Sequence, residues 1–438
     1  MKKLLLTFGV ILLPVLVFAQ WENQGPFPNV EYLTDTHGLA VDPDGKIWTS
    51  SFYRVGGVPF AGNPDSTVAT LRIDVFNPDG SEADFSPIQI ITIDGVPDTL
   101  MSPASARGMR ADHNGNILFT MGGPNTLYRI NYETGEGMGK MDLASPGITP
   151  GVDDNGNIFM GYVIPVRQVE IYDENFNFIE NAVDSARGFS RTLEVSPDGN
   201  TIWWPGYTTG SILAYSRPDE FSRFDQVPDT LVKGFASESM VYDRINNLLY
   251  SATGSGNDAP NFFNGEETGT DYAPNTYYGI DPATGEIVDG GFMYETEDPV
   301  NYRPRGIAFS PDGLTVYHGV FRASGEPVGM QHATRPNTEL VVSVEDQVDL
   351  ASGYTLNQNF PNPFNPTTAI TYELAQSGMT TLRVYDMLGR VVATLVNDTM
   401  PAGYHTVNFD ASNLGSGVYI YELVSGNVRL TNKMTLVK

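Results

Sequence analysis

Between residues 37 and 320 the chain repeats one short pattern six times: an apolar run, a turn of Asp, Asn and Gly, and a second apolar run. The copies are HGLAVDPDGKIWTSS from His37, RGMRADHNGNILFTM from Arg107, ITPGVDDNGNIFMGY from Ile148, RTLEVSPDGNTIWWPG from Arg191, ESMVYDRINNLLYSAT from Glu238 and RGIAFSPDGLTVYHGV from Arg305. Each run has strand length, and the turn residues supply the positive φ of tight hairpins. A strand pair of this kind cannot cover both of its own faces. It must pack against further copies, so the repetition dictates the architecture. Outer strands follow several copies: Leu127 to Tyr132, Val169 to Asp173 and Tyr278 to Pro282. Four strands recurring at about 40 to 45 residues is the spacing of a propeller blade. Six turns therefore predict six blades.

Two intervals are longer, after the first and fifth copies, and read as insertions; the second contains the Gly-, Asn- and acid-rich stretch Ser255 to Asn275. A seventh blade between Val55 and Leu100 is the alternative. The pentapeptide VPDTL stands at Val96 and again at Val227, a further sign of duplication. The last blade is short of strands, with Glu339 to Val344 the clear one after Val320. Asn29 to Leu33 is expected to complete that blade and close the ring. From Leu350 onward about seven short β runs follow, among them Ala369 to Glu373, Thr381 to Tyr385, Val391 to Val396, Thr406 to Phe409 and Val418 to Leu423, a pattern that predicts a small Ig-like β-sandwich. The expected fold class is all-β: a six-bladed β-propeller over 20–346 and a β-sandwich over 347–438, with the polar run Glu345 to Ser352 at the junction.

Lys2 and Lys3 precede an apolar run from Leu4 to Phe18, broken by Pro14 and ending at Ala19. A basic start, an apolar middle and a small residue at the cut describe a signal peptide over 1–19, and the run is shorter than the roughly 20 residues of a spanning helix. The mature chain is expected to have no transmembrane segment. The 438 residues contain no cysteine, which excludes disulfides, thiolate metal sites and Cys nucleophiles. A net charge of -27 argues against nucleic acid and anionic lipid as partners. It reads as a solubilising exterior, with calcium collection as the sharper alternative.

The end of the chain carries a further set of motifs: NFPNPFNPTTAITYEL from Asn359, VYDMLGR from Val384, AGYHTVNFDASNLGSGVYIYEL from Ala402 and TNKMTLVK from Thr431. Together they resemble the type A C-terminal sorting domain (Por secretion tail) of proteins exported by the type IX secretion system of Bacteroidota-like bacteria. The resemblance implies passage through the periplasm, recognition by the type IX machinery, and a secreted or outer-membrane-surface location. It also implies removal of the domain and attachment to surface lipopolysaccharide, or release.

The blade pattern, as in GLAVDPDGKIW, resembles the NHL repeats, the gluconolactonase-like (SMP-30) propellers and the streptogramin-lyase-like propellers. That likeness specifies fold better than activity. In gluconolactonase-like propellers, Glu, Asn and Asp at the inner mouth ligate a metal, two of them eight residues before the turn glycine. The equivalent positions here are His37, Arg107, Ile148, Arg191, Glu238 and Arg305, with Asn246 taken as the fifth turn's glycine equivalent. Three arginines repel a divalent metal rather than ligate it. The chain has no HExxH, G-x-S-x-G or phosphate loop. No cofactor is expected and no catalytic residue is assigned. The candidate ligand-binding residues are His37, Arg107, Arg191, Glu238 and Arg305, at one mouth of a central channel. They suit an anionic small molecule or polysaccharide, or else the arginines pair with neighbouring carboxylates and hold blades together. The expected role is non-enzymatic binding of an extracellular ligand, polymer or protein. A lactonase-like or lyase-like enzyme and a structural envelope component are the alternatives. Trp48, Trp203 and Trp204 are expected in interblade cores, and His37 and His318 near the channel.

Overall fold

The computed structural model describes residues 21–28, 36–52, 55–60, 63–101, 104–164, 166–254, 261–296, 302–321 and 329–335, and toward the C-terminus 355, 356, 359, 362, 364–374, 376–386, 390–401, 403–425 and 428–438. Every regular element among them is a β-strand. By its own contacts the chain divides into two compact units, Met1–Leu340 and Val341–Lys438. The expected signal peptide, the strands placed at Asn29 to Leu33 and at Glu339 to Val344, and the run Glu345 to Ser352 lie outside the described residues.

Each repeat of the first unit opens a separate antiparallel sheet. Sheet 1 contains Thr36–Val41, Ile47–Ser51 and Ile73–Phe76. Sheet 2 contains Ser105–Ala111, Ile117–Gly122, Thr126–Ile130 and Gly137–Asp142. Sheet 3 contains Gly151–Val152, Ile158–Met160, Val169–Tyr172 and Phe178–Val183, and sheet 4 contains Glu194–Val195, Thr201–Gly206, Ser211–Ser216 and Asp229–Lys233. Sheet 5 contains Met240–Asp243, Leu248–Ala252, Thr276–Ile280 and Ile287–Met293. Sheet 6 contains Arg303–Phe309, Thr315–Phe321 and Met330–Thr334, completed by the N-terminal strand Glu22–Phe27.

The turn aspartates explain why these hairpins form locally. Asp42 Oδ1 accepts from the backbone N–H of Asp44 (3.0 Å) and Lys46 (2.9 Å), and Gly45 takes φ +82°, a conformation that costs glycine little. The same bonding recurs at Asp112 and Asp153. In the fifth turn the left-handed residue is Asn247 (φ +53°), one place after the Asn246 expected from sequence. The register nonetheless holds, because Asp243 plays the part of Asp42 in accepting backbone N–H bonds.

Strand alternation then sends successive residues to different neighbours. Trp48 packs between sheets 1 and 2 while Ile47 packs toward sheet 6. Leu118 faces sheet 3 and Phe119 faces sheet 1. Trp204 faces sheet 3 and Trp203 faces sheet 5. Tyr250 and Val316 share a core between sheets 5 and 6. All three tryptophans are thus interior, as expected from their place in second strands. The first strands also touch in order. Thr36–Val41 lies against both Ser105–Ala111 and Arg303–Phe309; Glu194–Val195 lies against Gly151–Val152 and Met240–Asp243; and Met240–Asp243 lies against Arg303–Phe309. Gly108 and Thr149 complete the cycle, since a Cβ at Gly108 would come within 2.1 Å of Thr149 Oγ1.

The interval between sheets 1 and 2 folds as two hairpins, Val55–Phe60 with Asn63–Thr70 and Ile90–Ile93 with Val96–Thr99, and not as a four-stranded sheet. The second hairpin extends the outer edge of sheet 2 through Gly137 and Ile93. The other VPDTL copy enters the outer strand of sheet 4, so the two copies occupy different places. The strand beside Glu22–Phe27 is Met330–Thr334, whose sequence MQHAT is too polar to stand out.

The two ends of the first unit meet in one buried network. Trp21 Nε1 donates to Asp289 Oδ2 (3.1 Å), which also accepts from Tyr250 Oη (2.5 Å). The Arg335 guanidinium lies 4.6 Å from the Trp21 ring, donates to Asp243 Oδ2 (3.1 Å) and Gly313 O (2.7 Å), and is almost wholly buried. Arg335→Ala leaves the Asp243 carboxylate without its cation and is expected to cost about 3–5 kcal/mol. Urea unfolding measures this, and a loss under about 1 kcal/mol, the scale of an exposed pair, would show that the network does not hold the ends together.

In the second unit, Thr355–Leu356, Thr367–Leu374 and Gly403–Asp410 form one sheet, and Val391–Met400, Gly378–Asp386, Gly417–Ser425 and Val428–Leu436 form another. Both feed one core that includes Ile370, Tyr372, Leu382, Val384, Tyr421 and Met434. The described residues of the Asn- and Pro-rich segment are tied to the last two strands. Phe364 N donates to Thr435 O (2.9 Å), Thr435 N to Asn362 Oδ1 (2.7 Å), and Asn359 N to Tyr421 Oη (2.9 Å).

Candidate functional site

Residues at or just before the start of the inner strands bring the expected group together. Glu238 is buried and shared by two arginines: Arg191 Nε lies 3.5 Å from Oε1, and Arg305 is in direct contact with Oε2. His37 is enclosed beside them and meets the Arg107 backbone through a hydrogen bond. Burial lowers its pKa well below the ordinary value, and Arg305, Arg191 and Arg107 push it further in the same direction, so the imidazole is neutral. Burial and then the proximity of Arg191 lower the pKa of Arg107, and burial, Arg191 and Arg107 lower that of Arg305. Ile148, the sixth register position, goes into the core between sheets 3 and 4.

Each arginine lies on an aromatic ring. Arg107 lies 5.2 Å from the centroid of Phe52, Arg191 5.5 Å from Tyr207 and Arg305 5.3 Å from Phe321. Sequence reasoning missed these rings, yet the signal was present: each stands five residues after the first apolar residue of its sheet's second strand, Ile47, Ile202 and Val316. In sheet 2 that position is Gly122, where a Cβ would approach Arg107 Nε to 2.7 Å. The glycine leaves room for the guanidinium. Three guanidinium groups face one carboxylate, so two positive charges are uncompensated within the cluster. Arg107 has no carboxylate partner among the described residues, and its buried Nε, like Arg305 Nε and His37 Nδ1, has no hydrogen bond.

The other histidines lie elsewhere. His113 is in a turn beside Asn114 and Glu174, and His405 stacks on Tyr372 in the second unit. His318, expected near the channel, instead lies inside the sheet 5–6 interface among Tyr277, Phe292 and Tyr294, because strand alternation turns it away. Burial drives its pKa down from 6.5 to about 3. The unfolded chain therefore binds a proton below pH 6.5 that the folded chain refuses. The stability contribution is complete above 6.5 and falls as pH drops toward 3. His318→Phe is expected to remove that dependence, so that its stability relative to the parent rises by roughly 1.4 kcal/mol per pH unit below 6.5. Urea unfolding at pH 7, 6 and 5 checks this; parallel curves would contradict it.

Residues 358–437 match the family model of the secretion system C-terminal sorting domain. The chain carries a type IX sorting tail. It is exported by type IX secretion to the cell surface or released, and the tail is the part that the secretion machinery recognises. No curated protein sequence matches the chain. Among solved structures, PorZ of Porphyromonas gingivalis, a surface component of the type IX secretion system, is similar over 92% of this chain at 13% identity and a TM-score of 0.34. The chain spans 51% of the length of that PorZ chain. Regucalcin of Agrobacterium tumefaciens, a calcium-binding protein, is similar over 72% of this chain and 93% of its own at 10% identity and a TM-score of 0.46. Among the described residues no group of three or more His, Asp or Glu side chains is placed to hold a metal.

Proposed function

We propose that the exported chain is a six-bladed β-propeller over 20–346 followed by an Ig-like sandwich over 347–438, and that the propeller is a non-enzymatic extracellular binding protein whose channel mouth takes a compact anion. Six sheets in a cycle of contacts and the completion of sheet 6 by the N-terminal strand support the architecture. The observation that carries the binding reading is a cluster of three arginines around one carboxylate, Glu238, which only Arg191 and Arg305 contact. Such a site selects an oxyanion such as sulfate, phosphate or the carboxylate of an acidic sugar through charge-assisted hydrogen bonds. The acidic remainder of the protein sharpens the contrast. Arginine where a lactonase-like propeller has ligands disfavours a divalent metal and the chemistry that depends on it. The sandwich directs export, and after processing the protein is held at surface lipopolysaccharide or released.

Two measurements test this reading. Arg107 is the cation without a carboxylate, so Arg107→Met is expected to weaken sulfate binding by about tenfold or more while leaving the urea midpoint nearly unchanged. Arg191→Ala is expected to act in the same direction. Arg305→Ala, which strips a fully buried partner from Glu238, is expected to cost about 3–5 kcal/mol of stability instead. Calorimetry with sulfate and phosphate that detects no binding to the parent, or equal binding by all variants, would exclude the mouth as an anion site. For export, a chain truncated at Ser352 is expected to accumulate folded in the periplasm; cell fractionation finding it at the surface in full yield would contradict this.

A further inference from the structure

The cycle of first strands has a second end, on the side of the hairpin turns. A cavity of about 300 Å³ opens there, bounded by Leu39, Ala111, Val241, Phe309 and Pro311, with Arg110, Arg244 and Asp243 at its polar side. Between it and the mouth lies a void of about 10 Å³, lined by Leu39, Met109, Met240 and Ile307 together with His37 and Arg305 of the mouth and Arg110. That is near the minimum for a single water, so the two ends are independent compartments.

Arg110 gives this cavity its chemistry. It reaches across the cycle from sheet 2: Nε donates to Pro150 O (3.3 Å), and Nη2 donates to Met240 O (3.5 Å) and pairs with the buried carboxylate of Glu194. None of these contacts uses Nη1. Arg244 pairs with Asp154 and donates to Val152 O (2.8 Å). Arg110 and Arg244 are each met by a carboxylate and Asp243 is held by Arg335, so the excess positive charge of the mouth is not repeated here. A mostly apolar cavity with one incompletely used guanidinium fits a ligand with an apolar body and a single acceptor group.

We propose that this cavity is a second binding site, separate from the mouth, for a small monocarboxylate with a compact apolar body. The carboxylate meets Arg110, and the body fills the space beside Leu39, Val241 and Phe309. The site does not depend on anion binding at the mouth.

Benzoate is the probe, and saturation-transfer NMR on the full exported chain is the readout. The signal is expected to persist with excess sulfate present and in Arg191→Ala, and to vanish in Ala111→Trp, where an indole fills the cavity. The proposal is overturned if the parent gives no transfer, if sulfate or Arg191→Ala abolishes it, or if a folded Ala111→Trp retains it. Should Ala111→Trp fail to fold, crystals of the parent soaked with 4-iodobenzoate decide the matter. An anomalous iodine peak beside Leu39 and Phe309 supports the site, and a peak at the mouth or no peak overturns it.

Discussion

The meeting of Trp21 and Arg335 over Asp289 and Asp243 is the constraint on which the first unit depends. Six sheets that cover one another in a cycle have no edge to spare only if the first and last are joined. Here the join has two parts. Glu22–Phe27 adds its backbone ladder to Met330–Thr334, and beside it a buried arginine and an indole tie both ends of the first unit to sheet 5. A chain without cysteine has no covalent means of doing this. The interaction is polar, but it sits in an apolar surround, where a paired guanidinium is costly to disrupt.

The cycle also creates the mouth. Neighbouring first strands come together at one end, so the residues opening each repeat share a small space regardless of their separation in sequence. In that space the charges do not balance. Glu238 compensates part of the field of Arg191 and Arg305, while Arg107 is held against Phe52 in the room left by Gly122. The aromatic rings orient the guanidiniums and cover part of their apolar faces. The opposite end is built on another principle: its arginines are matched by Glu194 and Asp154, and its walls are apolar.

Much of this was legible before folding. The hairpin turns, the six repeats and the register that gathers His37, Arg107, Arg191, Glu238 and Arg305 follow from a period that any reader of the chain can count. The fifth turn shows why the count works: the left-handed residue moves to Asn247, but Asp243 still caps the turn and keeps the strand in phase. Less visible were elements whose composition carries no pattern. The strand MQHAT has no apolar alternation, and the interval after sheet 1 has strand-like runs that pair into side hairpins instead of a blade.

The sequence by itself determined the all-β class, the address and the register that gathers the residues opening the repeats, because each of these is written in local periods and contiguous motifs. Only the tertiary structure decided which partner each charge has. Glu238 serves two arginines, Arg110 crosses to Glu194, Arg335 reaches Asp243, and His318 turns into an aromatic interface. The reason is that these contacts join residues on different sheets. Strand alternation tells which side of its own sheet a residue faces, but the distance to a charge on another sheet is set only when the cycle closes.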